Sequence, residues 1–336
     1  EISFCGHIHE QSLDETSQIS QTLRKVYNNL TNFGFIILRG YEIGNIQEVS
    51  TLMKSFFQQS LDMKLQFVSK DRARRGYSPL SAENFATLIG VSGKPNDTVE
   101  KYRIGPILNE VQKLENLEYF SSKEGRIHFF PNNLELFSET DQLNLSQYYI
   151  SMQKLSILIL NIIEIACNLS LNSFSSNISN HTSILSFNYY PEVPELTTGE
   201  ERVAEHTDVS MFTIVSELAN VTDDTTTSNS ELQLCNLLTN EWESIHLANG
   251  DFAVNVGDCL KDWSRGLLKS ALHRVVSKTF PVERITSAYF FSPNYNSLLS
   301  WPGDFDQSSE PVHYSKWRKQ VIAKAMSSLN KNISRR

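Results

Sequence analysis

The sequence predicts a mainly β fold, a sandwich or barrel of short strands, preceded by a helix-rich region. Three observations carry this. Apolar residues recur at steps of three and four through the first half of the chain. From Ser183 onward, short β-branched and aromatic runs are separated by turn residues. With 40% hydrophobic and 20% charged residues, the chain also has a core to bury, which excludes disordered and collagen-like classes.

Residues 16–33 place Ile19, Leu23, Val26, Leu30 and Phe33 on one helical stripe, which breaks at Gly34 into the strand-like Phe35-Ile36-Ile37-Leu38. Residues 46–57 repeat the stripe through Ile46, Val49, Met53 and Phe56. Residues 145–167 form a longer helix whose apolar positions nearly encircle it. Its most apolar part, Leu155 to Cys167, contains Asn161 and Glu164 and is shorter than the roughly 20 residues of a membrane span, so a buried helix is expected. Strands follow over Ile184–Tyr190, Ser210–Leu218, Leu232–Cys235, Phe252–Val256, Ala271–Ser277 and Ile285–Phe291. The polar segment Asn220 to Ser230 reads as a solvated loop, and a last helix spans Tyr314 to Leu329.

A chain of 336 residues fits one or two domains of roughly 150 residues. We read one structural unit: a helix-rich region over 1–175, a strand-rich core over 180–300 and a C-terminal helix within 301–336. Thirty Lys and Arg against 38 Asp and Glu give a net charge of −8, with no basic run longer than a pair, so no nucleic-acid partner is expected. Cys5, Cys167, Cys235 and Cys259 are widely spaced and form no CxxC pair, which points to free thiols, a reducing cytoplasmic setting and no disulfide scaffold. A monomer acting on a small molecule, with no membrane partner, is the expectation.

The chemistry lies in the strand-rich half. His206-Thr207-Asp208 sets an imidazole and a carboxylate at i and i+2, which on an extended strand share a face and can grip one metal ion. His273, in another strand-like run, is the candidate third ligand. Two histidines and one carboxylate leave open positions on a metal, the arrangement of non-haem Fe(II) oxygenases, whereas zinc prefers a more closed set. The other histidines, His7, His9, His128, His181, His246 and His313, lack such partners and read as surface or core residues. Arg284 and Thr286 fall on a strand expected to face the same interior, where a guanidinium needs an anion. That anion is either a ligand carboxylate or an internal Asp or Glu.

These residues sit in an ordered series of motifs. Asn188-Tyr189-Tyr190-Pro191 precedes His206-Thr207-Asp208-Val209-Ser210. Then come Gly257-Asp258-Cys259-Leu260, Trp263-Ser264-Arg265-Gly266, Lys269 to Val275 around His273, and Arg284-Ile285-Thr286 followed by Tyr289, Phe290 and Pro293. In this order they resemble the NYYP, HxD, GDxLxxWSNGxxKSxxHRV and RxS segments of the Fe(II)/2-oxoglutarate-dependent dioxygenases, in the isopenicillin N synthase-like superfamily. Weaker resemblances at Asn32 to Phe35, Arg75-Gly76-Tyr77 and Glu100 to Pro106 extend the match over nearly the whole chain.

The resemblance implies a distorted double-stranded β-helix, or jelly roll, with His206, Asp208 and His273 on Fe(II) and with Arg284 and Thr286 on the distal carboxylate of 2-oxoglutarate. Asn188 and Tyr190 match positions near that cosubstrate, and Thr286 replaces the usual Ser, adding a methyl to the pocket. It further implies dioxygen as oxidant, ascorbate as a reductant, and oxidative decarboxylation of 2-oxoglutarate coupled to hydroxylation, desaturation or ring closure. A specialised, amino-acid-derived metabolite is the expected substrate class, with kainoid-type cyclisation one example. Arg75, Tyr77, Lys101, Ser210 and Phe290 are the expected substrate contacts; a cation among them facing the metal would call for a substrate carboxylate. Two alternatives share the fold: an oxidase of the isopenicillin N synthase type that uses no 2-oxoglutarate, and a non-catalytic binding protein.

Overall fold

The helical stripes form where the periodicity places them. In the computed structural model, which describes residues 18–68, 75–88, 93–107, 134–192, 199–220, 232–248, 250–277, 283–302 and 311–333, helix α1 (Gln18–Asn32) buries Leu23, Val26 and Leu30. Ile19, at its first turn, is exposed instead, because the stripe meets the core only from Leu23 onward. The helix stops at Gly34, whose φ of +68° favours glycine and whose Cβ, if present, would lie 2.0 Å from the Lys269 carbonyl oxygen. The chain thereby turns into β1 (Phe35–Leu38). Helix α2 (Ile46–Phe57) follows, then the short α3 (Leu61–Leu65), strand β2 (Gly76–Ser78), the turn-length α4 (Phe85–Leu88) and β3 (Glu100–Ile104).

Helix α5 spans Glu139–Ala166 and is capped by the Ser138 hydroxyl, which accepts from the Asp141 backbone N–H. It begins earlier than the sequence stripe suggests, and by length and composition it could cross a membrane; half of its most apolar window is buried inside the protein, with Tyr148, Tyr149, Met152, Leu155, Ile159 and Ile163 in the core. After the short α6 (Ser175–Ile178) come β4 (Ile184–Tyr190), β5 (Glu201–His206), β6 (Phe212–Asn220), β7 (Leu232–Asn236), β8 (Glu241–Ser244) and β9 (Phe252–Val256). Helix α7 (Asp258–Trp263), β10 (His273–Val276), β11 (Arg284–Phe291), the two-residue β12 (Leu298–Leu299) and β13 (Val312–His313), and α8 (Tyr314–Ile333) complete the chain. Beyond Asn220 the polar loop predicted to Ser230 lies outside the described residues, as do Cys5 and His128.

Among the described residues the strands make two large antiparallel sheets, one of order β1-β9-β6-β11-β4-β3-β2 and one of order β5-β10-β7-β8, and a small β12-β13 pair. Strand alternation divides the larger sheet's faces. Leu185, Phe187, Ile214, Ile285 and Tyr289 join the core beneath α1, α2 and α5, while Asn188, Tyr190, Val215, Arg284, Thr286 and Ala288 line a cavity. This is a distorted double-stranded β-helix with helices packed on its larger sheet.

Candidate active site

Strand pairing brings the three predicted ligands together. In the smaller sheet β10 runs antiparallel to β5 with His273 opposite His206. The register then slips twice, Val275 facing Val203 and Val276 facing Glu201, and the first slip gives β5 one extra residue between His206 and Val203. That bulge turns both Val203 and His206 inward, although they are three apart. Asp208 corrects one expectation: β5 ends at His206, so the carboxylate reaches the imidazoles from the following turn and not from an extended strand. Asp208 Oδ1 lies 3.7 Å from His206 Nε2, Oδ2 lies 3.9 Å from His273 Nε2, and the three donor atoms fall within 4.8 Å of one another.

Each donor is oriented from behind. His206 Nδ1 donates to the Ala204 carbonyl at 2.7 Å and His273 Nδ1 to the Ala271 carbonyl at 3.0 Å, which leaves both Nε2 lone pairs directed into the site. Burial, and then the neighbouring His273, pulls the His206 pKa down to about 3, so the imidazole is the neutral ligand form. Thr213 Oγ1 donates to Asp208 Oδ2 at 2.6 Å and accepts from the Ser210 hydroxyl at 3.0 Å. The turn itself is clamped by α7: the Asp258 N–H donates to the Asp208 carbonyl at 2.7 Å, and the Asp258 carboxylate accepts from Thr207 at 2.9 Å. Gly257 permits this approach, since a Cβ there would lie 2.2 Å from the Ser210 carbonyl oxygen.

Arg284 opens β11, the strand after β10 in the chain, and from the facing sheet it lines the same interior, as expected. Its Nε and Nη2 each sit 3.1 Å from Glu217 Oε1, so the internal-carboxylate reading holds in part. Nη1 is buried and has no hydrogen-bond partner among the described residues. Thr286 points into the cavity two residues on and accepts from Asn188 Nδ2 at 3.4 Å, and the Tyr190 ring lies 5.5 Å from the Arg284 guanidinium. The donor set suits the groups that the resemblance implies. Two imidazoles and a carboxylate on one side match an open Fe(II) site, and a buried guanidinium with a spare N–H beside a hydroxyl matches a carboxylate.

Of the five expected substrate contacts, Lys101 and Phe290 line this cleft. The other three are displaced from its lining. Tyr77 packs against Phe56 and donates to Glu100 at 2.6 Å, because β2 lies two strands beyond β4. Arg75 is buried where its charge acts on Tyr149 of α5, and Ser210 stands behind Asp208 through Thr213. Lys101 is buried rather than solvated, its Nζ 3.0 Å from Glu83 and 4.0 Å from the centre of the Phe85 ring. Burial lowers its pKa to about 8 against the opposing pull of Glu83. Burial alone would raise the Glu83 carboxyl, but the charges and hydrogen bonds of Arg103 and Lys101 hold it far below the usual carboxylate range. Arg103, Phe85, Glu83, Thr213 and Glu217 were not singled out from the sequence; the one usable signal was the i, i+2 spacing of Lys101 and Arg103.

Comparison with known proteins agrees with this fold. The description "2OG-Fe(II) oxygenase superfamily" matches residues 181–293, and "non-haem dioxygenase in morphine synthesis N-terminal" matches residues 8–122. The chain is 29% identical over 313 residues to a Dictyostelium discoideum protein named "Probable iron/ascorbate oxidoreductase", across 84% of this chain and 79% of that one. It is 24% identical over 333 residues to a homoarginine-6-hydroxylase of Oryza sativa subsp. japonica, covering 95% and 89%. The full-length Neurospora crassa T7H, solved in complex with alpha-KG, has the same fold, with a TM-score of 0.69 at 23% identity over 92% of each chain.

Proposed function

We propose that this chain, which belongs to the Fe(II)- and 2-oxoglutarate-dependent oxygenases, oxidises a small amino-acid-derived metabolite in the cleft between its two sheets. The observation that carries the residue roles is the convergence of His206, Asp208 and His273 on one point of a cleft that also holds the spare N–H of Arg284. His206, Asp208 and His273 would hold the iron. Arg284 and Thr286 would take the distal carboxylate of 2-oxoglutarate, with Asn188 and Tyr190 beside it. When bound, the metal with 2-oxoglutarate and dioxygen supplies the oxidant for hydroxylation, desaturation or ring closure, with succinate and carbon dioxide released.

The chain's own part is positional. The Nδ1 bonds to Ala204 and Ala271 fix the orientation of both rings, so that each Nε2 is aimed at the same point. Thr213 fixes the Asp208 carboxylate, and Glu217 holds the Arg284 fork in one orientation. Apolar walls from Val203, Val215 and Ala288 limit water around the reacting centre. An amino-acid-derived substrate is supported by the rice relative, named for hydroxylating homoarginine, and by the cationic β3 wall.

The test is succinate formation from 2-oxoglutarate with Fe(II), with and without amino-acid candidates. Asp208→Ala should abolish it and remove stoichiometric iron while leaving the circular dichroism spectrum unchanged. Full turnover in that variant would refute the ligand assignment.

A further inference from the structure

We propose that Lys101 and Arg103, both held by Glu83, form a second anion subsite in the cleft, one that selects substrates carrying a carboxylate. The proposal rests on the oxygenase reading above and adds the chemistry of the substrate.

The two cations alternate on β3 and so share its inner face. Register places them in the larger sheet: Lys101 opposes Asn188, which opposes Thr286, and Arg103 opposes Ser186, which opposes Ala288. Arg284 opposes Tyr190 at the other end of the same face. Lys101 is thus level with Thr286 but two strands away from β11, and Arg103 lies one pair further along, level with Ala288 and toward Phe290, which opposes Thr213 beside Asp208.

Both side chains are buried, Lys101 at 4% and Arg103 at 8% exposure, and among the described residues a single carboxylate contacts them. Glu83 is already saturated: Arg103 grips both oxygens through Nη1 and Nη2, Lys101 adds a bond to Oε2, and the Ser78 hydroxyl adds one to Oε1. Asp97 acts on Lys101 only by its charge, its Oδ2 being taken by the Phe85 N–H at 2.9 Å. Two buried cations on one carboxylate are costly to hold together, and a ligand anion offsets that cost. Lys101 spends one of its three N–H groups on Glu83, which leaves donors for such an anion. Phe85 sets the distance to the chemistry: its ring lies under Lys101 Nζ and 4.8 Å from the His206 ring. A carboxylate on Lys101 and Arg103 would therefore leave the neighbouring carbons of a small substrate against Phe85, next to the metal.

The experiment uses the anaerobic protein loaded with Fe(II) and 2-oxoglutarate, titrated with matched acids and amides: L-arginine with L-argininamide, and indole-3-acetate with indole-3-acetamide. The readout is the change in visible absorption when substrate displaces metal-bound water. For at least one pair, the acid should act at a concentration ten-fold or more below its amide. Lys101→Met and Arg103→Met should each cut that preference at least ten-fold, and Glu83→Gln should increase acid affinity. A variant that does not fold is replaced by Lys101→Gln or Arg103→Gln. Protection of the metal-free protein against thermal unfolding by the same pairs gives a second reading that needs no iron. Failure of wild-type protein to develop the Fe(II)/2-oxoglutarate absorption would count against the oxygenase reading, and the thermal measurement would still decide the subsite. Equal responses to acids and amides, or a preference untouched in both β3 variants, would overturn the proposal.

Discussion

Thr213 gives its one hydroxyl proton to Asp208, at 2.6 Å in a buried site. Hydrogen bonds to a charged group contribute about 1.5–3 kcal/mol, and loss of an outer partner of a metal ligand commonly costs 10- to 100-fold in metal affinity. Thr213→Val keeps the shape and removes the bond, so Fe(II) affinity should fall by roughly ten-fold or more. Equilibrium titration of Fe(II) against wild type and variant measures this, and equal affinities would remove Thr213 from the site. At Arg284 the fork matters as much as the charge, because Nε and Nη2 are committed to Glu217 while Nη1 remains. Arg284→Lys should raise the 2-oxoglutarate KM about ten-fold or more, with a smaller change in kcat, since a point-like ammonium lacks the planar fork that spans Glu217 on one side and the cosubstrate carboxylate on the other. The three candidate ligands and Arg284 were legible because their motifs state residue type and spacing together. Thr213, Glu217 and Glu83 were not, because their roles depend on which strand lies beside which.

The strand-to-helix corner from β9 into α7 shows why the Gly257-Asp258 motif has its form. Gly257 has an ordinary φ of −99°, so its glycine is required by proximity to the Asp208 turn and not by backbone conformation. A Cβ at 2.2 Å from a backbone oxygen cannot be relieved by rotating a side chain. Gly257→Ala should therefore push the corner away from the ligand turn and destabilise the fold by about 1–3 kcal/mol, with weakened iron binding. Urea unfolding alongside iron titration would show both changes; a variant with wild-type values in each would mean that the corner relaxes freely. Legibility at this scale followed the binary pattern. Helices α1 and α2 and strands β4, β9 and β11 obey it and were read nearly to their ends. Strand β3 was missed as a strand because both faces are buried and its cavity face carries Lys101 and Arg103, which inverts the usual rule that charge marks solvent.

For the whole molecule, sequence order says little about which sheet a strand joins: β5 and β10 pair in the smaller sheet while β4, β6 and β11 pair in the larger. The helices and sheets meet around buried groups whose protonation is tied to folding, and His181 is the clearest of these away from the metal ligands. It is 6% exposed, lies near-parallel to Tyr149 with ring centres 6.3 Å apart, and accepts from the Ser183 N–H at 3.4 Å through Nδ1. Burial lowers its pKa from 6.5 to about 4. Between those values the unfolded chain binds a proton that the folded one does not, so stability is fully present above pH 6.5 and is lost progressively as the pH falls to about 4. A depression of that size corresponds to about 3 kcal/mol across the window. His181→Phe keeps an aromatic ring beside Tyr149 and Phe291 and removes the titration. Its absolute stability should drop somewhat through the lost Ser183 bond and the larger ring, but its urea midpoint should fall less steeply than that of the wild type from pH 7 to pH 4.5. Parallel pH profiles for the two proteins would show that acid sensitivity arises elsewhere, and a steeper profile for the variant would reverse the sign assigned to His181.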